Sequence, residues 1–284
     1  MDFENVLIQN GSYETFRYYY YDLWQSMGDP RVQAMPLMDG GPWATLSIIA
    51  FYVYFVKVLG PVFMEHRPPF DLRRPIFWYN IFMVVINALF FAYATYFTNF
   101  GINTWICNNV DPTANDAEWQ FKLRVGWLFF FSKFIDLLDT VFFVLRKKYN
   151  QVSALHVIHH SLVPINVWMG LKYVPSESAA FMPFINSFIH CIMYLYYALS
   201  TLGPAVRPYL WWKKYLTTLQ IIQIALVAFH CLYIAYIPAC NLPKMVFLVA
   251  FPQSLLVLAM FCSFFTKSYT KSEHNGKEIK NKLN

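Results

Sequence analysis

Charged residues are scarce in this chain of 284 residues, at 13%, against about a quarter in soluble domains. Hydrophobic residues reach 57% and aromatic residues 20%, so an ordinary soluble fold is excluded for most of the chain. The five cysteines are too few for a disulfide framework. The net charge of +6 requires no nucleic acid as a partner, because cytosolic loops of membrane proteins collect Lys and Arg.

Long apolar runs predict an all-α integral membrane protein, since a span needs about 20 mostly apolar residues. We predict seven transmembrane helices, at about 43–60, 76–98, 121–145, 153–172, 178–201, 213–236 and 244–266. Hydropathy supports the third least, because it contains Lys133, Asp136 and Asp139. The chain thus divides into an N-terminal segment (1–42), a transmembrane domain (43–266) and a tail (267–284).

Basic residues are distributed unevenly between the two sides of these spans, with 15 on one side and 6 on the other. The imbalance predicts a lumenal N-terminus and a cytosolic C-terminus. Asn10 opens an N-glycosylation sequon on the lumenal side, although such sequons also arise by chance. Residues 1–40 have no apolar run typical of a cleavable signal peptide. Lys280 and Lys282 resemble a dilysine signal of endoplasmic-reticulum proteins, with a solvated Lys-rich tail as the alternative.

The cysteines fall into two settings. Cys191, Cys231 and Cys262 lie inside spans, where they are expected to be small core residues. Cys107 and Cys240 both lie in predicted lumenal loops, where disulfides persist. We therefore hypothesise a disulfide between these two residues.

Polar residues inside the spans share one depth. At 1.5 Å per residue, four spans place their polar side chains in the same slab of the cytosolic half. These are Lys133, Asp136, Asp139 and Thr140; His156, His159 and His160; Asn186, His190 and Tyr194; and Thr217, Gln220 and Gln223. The pattern predicts a buried site that opens to the cytosol. Basic residues at the predicted rim are candidates to bind a phosphate-rich ligand: Arg146, Lys147, Lys148, Lys213 and Lys214.

Several of these residues have alternative roles. The charged residues of the third span are also compatible with a structural ion network, the two glutamines with interhelical hydrogen bonds, and His190 with core packing. The stretch His156-x-x-His159-His160 is also found in membrane di-iron desaturases and hydroxylases, which use about eight ligands. Only four of the seven histidines lie in the slab, too few for two irons, whereas a single zinc remains open by count.

Five ordered motifs, between about residues 40 and 266, resemble the very-long-chain fatty acid elongases, which are membrane 3-ketoacyl-CoA synthases. The motifs are Gly60-Pro61-x-x-Met64-x-x-Arg67-x-Pro69-Phe70-x-Leu72, Lys133-x-x-Asp136-x-x-Asp139-Thr140, His156-x-x-His159-His160, Asn186-x-x-x-His190-x-x-Met193-Tyr194-x-Tyr196-Tyr197 and Thr217-x-x-Gln220-x-x-Gln223. Many members of that family have Glu where this chain has Asp136.

The resemblance implies seven helices, of which spans two to seven enclose a substrate tunnel. It implies condensation of a long acyl-CoA with malonyl-CoA to a 3-ketoacyl-CoA two carbons longer, with release of CoA and CO2 and without a metal or cofactor. His159 would carry the acyl group, His190 would orient it or donate to it, and His156 and His160 would orient it or move protons. The resemblance also implies a location in the endoplasmic-reticulum membrane. The expected partners are other enzymes of the elongation cycle and a second copy of the chain in a homodimer.

Two other functions remain as alternatives: a di-iron desaturase or hydroxylase, and a seven-helix receptor or transporter without enzymatic activity. The receptor signatures Asp-Arg-Tyr and Asn-Pro-x-x-Tyr are absent from the sequence. We further expect bulky residues at the lumenal end, namely Trp168, Tyr173 and Phe229, to form the floor of the tunnel.

Overall fold

The structure is a computed structural model that describes residues 12–107, 117–237 and 240–270. The described residues form helices and no strand. The helices are α1 (Ser12–Arg17), α2 (Leu23–Met27), α3 (Pro30–Gln33), α4 (Trp43–Tyr54), α5 (Gly60–Met64), α6 (Arg73–Phe97), α7 (Ala117–Ile135), α8 (Leu138–Leu145), α9 (Ala154–Tyr173), α10 (Phe181–Thr201), α11 (Lys213–Tyr236) and α12 (Lys244–Phe265). The predicted sequon at Asn10 and the dilysine signal at Lys280 and Lys282 lie outside the described residues.

Five helical segments of the described chain are long and apolar enough to cross a membrane, so the chain is a membrane protein. They are Trp43–Met64, Arg73–Phe97, Ser178–Thr201, Lys213–Tyr236 and Lys244–Tyr269. The predicted spans at 121–145 and 153–172 do not meet this test. The first is split between α7 and α8, and α9 contains three histidines, Pro164 and Lys172. The count of seven therefore stays a prediction.

Six long helices form a ring in which each packs against its neighbours. α6 packs on α10, α10 on α11, α11 on α12, α12 on α9, and α9 on α7. Aromatic pairs close the ring between α7 and α6, with Phe90 and Phe129 5.5 Å apart and Tyr93 and Phe121 5.3 Å apart. The α4 helix lies outside the ring against α9. The interior of the ring is where a cavity can form.

The helix break between α7 and α8 follows from a local change in backbone hydrogen bonding. Asp139 N–H donates to the carbonyl of Asp136, three residues back rather than four, at 3.3 Å. The carbonyl of Ile135 is thereby released from its helical partner and accepts a hydrogen bond from Tyr79 Oη at 3.2 Å. The tightened turn brings the two aspartates of the motif towards the same neighbour, Tyr194.

The N-terminal segment packs on the end of α9 that lies farthest from its histidines. Trp168 Nε1 donates to the carbonyl of Leu37 at 2.9 Å, and Lys172 Nζ donates to the carbonyl of Met38 at 2.5 Å. Trp168 is almost fully buried in this contact. It belongs to the packing of the N-terminal segment, so its predicted place on a tunnel floor is wrong.

Cys107 and Cys240 form a disulfide, with 5.5 Å between their Cα atoms. The bond links the loop after α6 to the loop before α12. Cys240 packs in an apolar cluster with Cys231 and Phe247. The disulfide thus fixes the end of the ring opposite the histidines of α9, which we call the far end.

Candidate active site

An ion pair is buried where α7 ends. Lys133 Nζ lies 2.9 Å from Asp136 Oδ2, and both side chains are nearly inaccessible to solvent. Lys133 Nζ also donates to Asn186 Oδ1 on α10 at 3.3 Å. Because an ammonium can only donate, this bond fixes the amide orientation and leaves the NH2 group of Asn186 as a donor for other groups.

A single hydroxyl joins the two aspartates of the motif. Tyr194 Oη lies 2.9 Å from Asp136 Oδ1 and 2.9 Å from Asp139 Oδ2. A phenol has one hydrogen, so Tyr194 cannot make a full hydrogen bond to both carboxyls with it, and Tyr194 Oη also lies 3.5 Å from Tyr79 Oη. Lys133 is paired with Asp136, and no salt bridge to Asp139 is found among the described residues, so the two carboxyls differ in their charged partners.

The histidines of α9 begin one turn into the helix. Ser153 caps the helix by accepting from His156 N–H at 3.2 Å. His156 Nε2 lies 2.9 Å from Thr140 Oγ1, which in turn lies 2.8 Å from Tyr52 Oη. His156 and His160 are one turn apart, with ring centroids 4.2 Å apart. These contacts hold the outer two imidazoles on one face of the helix.

His159 and His190 each have a buried ring nitrogen without a hydrogen-bond partner among the described residues. In both residues this atom is Nδ1. His190 Nδ1 lies 3.9 Å from Asp136 Oδ2, too far for a direct hydrogen bond. Both histidines face a small cavity of about 10 Å³, which is also lined by Lys133, Asp136, His160, Val163 and Pro164. That volume approaches the space that one water molecule needs.

A second, larger cavity of about 250 Å³ fills the interior of the ring. All six ring helices contribute to its lining, which is mostly apolar. His159, Asn186 and Gln223 line it together, and it extends to Phe97, Trp119 and Lys122 at the first turns of α7. His159 is the one histidine that lines both cavities among the described residues.

The polar residues predicted at one depth are thus brought together in part. We call the following set the polar cluster: Lys133, Asp136, Asp139, His156, His159, His160, His190 and Tyr194. Gln220 lies outside both cavities, and its Nε2 donates to Met193 Sδ at 3.3 Å. Thr217 Oγ1 donates to the carbonyl of Lys213 at 3.2 Å, within α11.

The five predicted phosphate-binding residues line neither cavity. Arg146 and Lys147 follow α8 directly and are half-buried, and Lys147 Nζ donates to the carbonyl of Glu65 at 3.2 Å. Lys148 and Lys213 are exposed. Lys214 Nζ lies 5.9 Å from the ring centroid of Phe265. Their role towards a phosphate-rich ligand stays a prediction.

The predicted floor residues are replaced by others. Tyr173 and Phe229 line neither cavity, and Phe229 is 58% exposed because it faces outward from α11. The prediction for these two residues is therefore wrong. The cavity beyond His159 is lined instead by residues the sequence pattern did not single out, among them Lys122, His230, Asn166 and Gln253. The sequence contains one feature that could have identified Asn166 and Gln253, since each is a lone amide inside an apolar run.

Within the described ranges, no group of three His, Cys, Asp or Glu side chains is arranged to hold a metal ion. The carboxylates nearest the histidines are instead bonded to Lys133 and Tyr194. The metal-free interpretation of the histidines remains a prediction.

Residues 37–277 match the family model described as ELO: GNS1/SUR4 family. Very long chain fatty acid elongase 1 of Homo sapiens is 44% identical over 248 residues, which cover 86% of this chain and 88% of the relative. Very long chain fatty acid elongase 7 of Rattus norvegicus is 38% identical over 264 residues, or 92% of this chain and 93% of the relative. The elongase 7 of Drosophila melanogaster is 37% identical over 268 residues, or 91% and 79%.

Proposed function

The chain belongs to the GNS1/SUR4 (ELO) family, and we propose that it elongates long-chain fatty acids by condensing an acyl-CoA with malonyl-CoA. The products are a 3-ketoacyl-CoA two carbons longer, CoA and CO2. The names of its relatives, very long chain fatty acid elongases, support this substrate class. The observation that carries the proposal is the position of His159 between an apolar cavity and the polar cluster.

That position suits a residue that must hold a fatty acyl group. An acyl chain bound to His159 has an apolar cavity to occupy, and burial there removes its methylenes from water. The imidazole faces polar groups on its other side, where protons are exchanged. A neutral imidazole is nucleophilic near neutral pH, and exclusion of bulk water protects the acyl-imidazole from hydrolysis.

In the first half-reaction, a ring nitrogen of His159 attacks the thioester carbon and the C–S bond breaks. The thiolate of CoA leaves, and the hydrogen on the other ring nitrogen is transferred to it, so an acyl-imidazole and free CoA are formed. A water molecule in the small cavity is our proposed carrier, since His159 and His190 both line that cavity and the Nδ1 atom of each has no partner among the described residues. The NH2 group of Asn186, oriented by Lys133, donates to the developing oxyanion.

In the second half-reaction, malonyl-CoA loses CO2 and its enolate carbon attacks the acyl carbon. The bond to His159 breaks, and the imidazole must regain one proton, so the overall reaction takes up one proton. A proton held by Asp139 would reach Asp136 through Tyr194, and the proposed water of the small cavity, which Asp136, His190 and His159 all line, would pass it to the imidazole of His159. We propose this chain of groups as the proton supply.

The surroundings of the reaction are part of the same proposal. We propose seven transmembrane helices in the endoplasmic-reticulum membrane, a lumenal N-terminus, a cytosolic C-terminus, and a tunnel formed by spans two to seven. Basic residues at the cytosolic rim bind the CoA phosphates: Arg146, Lys147, Lys148, Lys213 and Lys214. No cofactor takes part, and the other enzymes of the elongation cycle are the expected partners.

The experiment compares His159→Gln with His66→Gln in purified full-length protein. His66 is an exposed histidine outside both cavities, which makes it the matched control. With malonyl-CoA and a panel of acyl-CoAs, we expect His159→Gln to lose condensation by on the order of 1000-fold or more. Near-normal product from His159→Gln would remove this residue from its role. Stoichiometric iron in active protein would instead favour a di-iron enzyme.

A further inference from the structure

We propose that Asn166 and Gln253 form a polar subsite halfway along the large cavity, and that it binds a hydroxyl group on the acyl chain. Both residues line the cavity, and both have an amide oxygen that is buried without a hydrogen-bond partner among the described residues. The subsite rests on the proposed function, since the chain in question is the acyl chain held by His159.

The two amides stand apart from other polar residues of the cavity. His230 Nε2 is hydrogen-bonded to the carbonyl of Thr104 at 2.9 Å, and Ser187 Oγ donates to the carbonyl of Pro183 at 2.7 Å. Because these groups already have hydrogen-bond partners in the protein, they do not need one from a ligand. An orphaned amide oxygen is different, because a buried acceptor without a donor destabilises the protein or the complex that leaves it so.

The register of two helices brings the amides to the same depth. α9 and α12 pack against each other, and the rings of His159 and Phe261 are 6.0 Å apart. Asn166 follows His159 by seven residues, which is about 10 Å along α9. Gln253 precedes Phe261 by eight residues on α12, about 12 Å along the helix. The two helices run in opposite directions, so residues after His159 on α9 and residues before Phe261 on α12 lie on the same side of that contact. The two amides therefore lie at about the same depth.

This depth selects a position on the acyl chain. An extended chain advances about 1.25 Å per carbon–carbon bond, so 10–12 Å corresponds to about eight to ten carbons from the thioester carbonyl. The neighbouring cavity residues on the same helices are apolar, such as Val163, Val167 and Val257, except Ser254, whose Oγ donates to the carbonyl of Ala250 at 2.9 Å. Beyond His159, the unpartnered polar atoms that α9 and α12 offer to the chain are therefore those of the two amides.

A hydroxyl is the group that fits both amides, because it donates to an amide oxygen and accepts from an amide N–H. A saturated chain offers neither, and it displaces any water that solvates the amides without replacing its hydrogen bonds. A site built to bond a substrate hydroxyl discriminates strongly against the analogue that lacks it. We infer a preference for chains that are hydroxylated near the ninth carbon.

The test first finds the saturated acyl-CoA that the wild-type protein condenses fastest, and then compares it with its 9- or 10-hydroxy derivative. The expected kcat/KM is at least about tenfold higher for the hydroxylated chain. Asn166→Leu and Gln253→Leu should each remove most of that preference, because kcat/KM should fall more for the hydroxylated chain than for the saturated one. A cis-9-unsaturated chain bends at the same place without donating a hydrogen bond and should show no comparable preference.

Asn87→Leu is the matched control, because Asn87 also has a buried, unpartnered amide oxygen but lines neither cavity. It should leave the substrate ratio unchanged. If the wild-type protein turns over both chains equally, the subsite is overturned without any variant. It is also overturned if all three substitutions change the ratio of kcat/KM for the two chains equally. A protein that condenses no acyl-CoA at all overturns the proposed function itself.

Discussion

The polar cluster and the large cavity meet at His159, yet they are built in opposite ways. In the cluster, most polar groups are bound to one another, as in the contacts of Lys133 with Asp136 and of Tyr194 with both aspartates. In the cavity, six helices contribute a mostly apolar wall, and two amide oxygens have no partner. We propose that the reaction takes place at the cluster, whereas the cavity leaves polar groups unpaired for the substrate to contact.

This comparison separates the expected effects of substitutions. A change in the polar cluster should affect every acyl chain alike, because all chains react at the same atoms. A change at a given depth of the cavity should affect only those chains long enough to reach that depth. Measurements of turnover across a series of chain lengths therefore test whether substitutions in the cluster and in the cavity differ in this way.

Among substitutions other than those of His159, the largest effect is expected for Asp136→Asn. The substitution leaves the ammonium of Lys133 buried without its carboxylate, which costs about 3–5 kcal/mol in the free energy of unfolding. We also expect turnover to fall by on the order of 100-fold for all chain lengths, because the proposed proton route passes through this carboxylate. Thermal unfolding in detergent and condensation assays measure the two effects.

A double variant, Lys133→Met with Asp136→Asn, distinguishes the two roles of the pair. Removing both charges should restore most of the stability, since an unpaired buried charge is no longer present. Activity should stay low. If Asp136→Asn alone is as stable and as active as the wild type, the ion pair is not part of the site described here.

Gly170→Leu should act on chain length rather than on chemistry. Gly170 lines the large cavity, and a Cβ added there meets no heavy atom within 4 Å. It lies eleven residues beyond His159, or about 16 Å, which corresponds to about thirteen carbons. We expect chains longer than this to lose about tenfold in kcat/KM, because the leucine occupies their space. Shorter chains should keep their turnover.

Ala225→Leu is the control for Gly170→Leu. Ala225 is exposed on α11 and lines neither cavity, so the same side chain placed there should leave the product distribution unchanged. A uniform decrease across all chain lengths in Gly170→Leu would contradict the separation between cavity and cluster.

The smallest effect on activity is expected for Cys107→Ser. Loss of the disulfide should lower the free energy of unfolding by about 2–5 kcal/mol. Cys240 packs with Cys231 and Phe247, which line the cavity, so only the longest chains should turn over more slowly, by about twofold. Reduction of the wild-type protein should reproduce this pattern, and an equal effect on short chains would argue against it.

The sequence predicted those features that follow from local pattern. Five apolar runs are helices with nearly the expected bounds, and helical spacing correctly grouped His156, His159 and His160. The disulfide hypothesis rested on the predicted topology, and the structure joins the same two cysteines. Depth counting along helices also brought Lys133 and His190 into one region, where they line the small cavity together.

Features that depend on how helix faces meet were beyond the sequence. Depth alone does not show which side of α11 faces inward. It therefore predicts Phe229 in the cavity although that residue is exposed, and it groups Gln220 with histidines although Gln220 bonds to Met193. Trp168 bonds to the N-terminal segment, a contact between residues far apart in the chain. The orphaned oxygens of Asn166 and Gln253 emerge only from the packed ring.

The central claim is that His159 carries the acyl group at the boundary of the two regions. Its most direct test is to incubate wild-type protein with a long acyl-CoA and no malonyl-CoA, and to locate any added mass by peptide mass spectrometry. We predict one acyl group on His159, which disappears when malonyl-CoA is added and returns as 3-ketoacyl-CoA. An acyl group on another residue, or turnover without any adduct on His159, would contradict the claim.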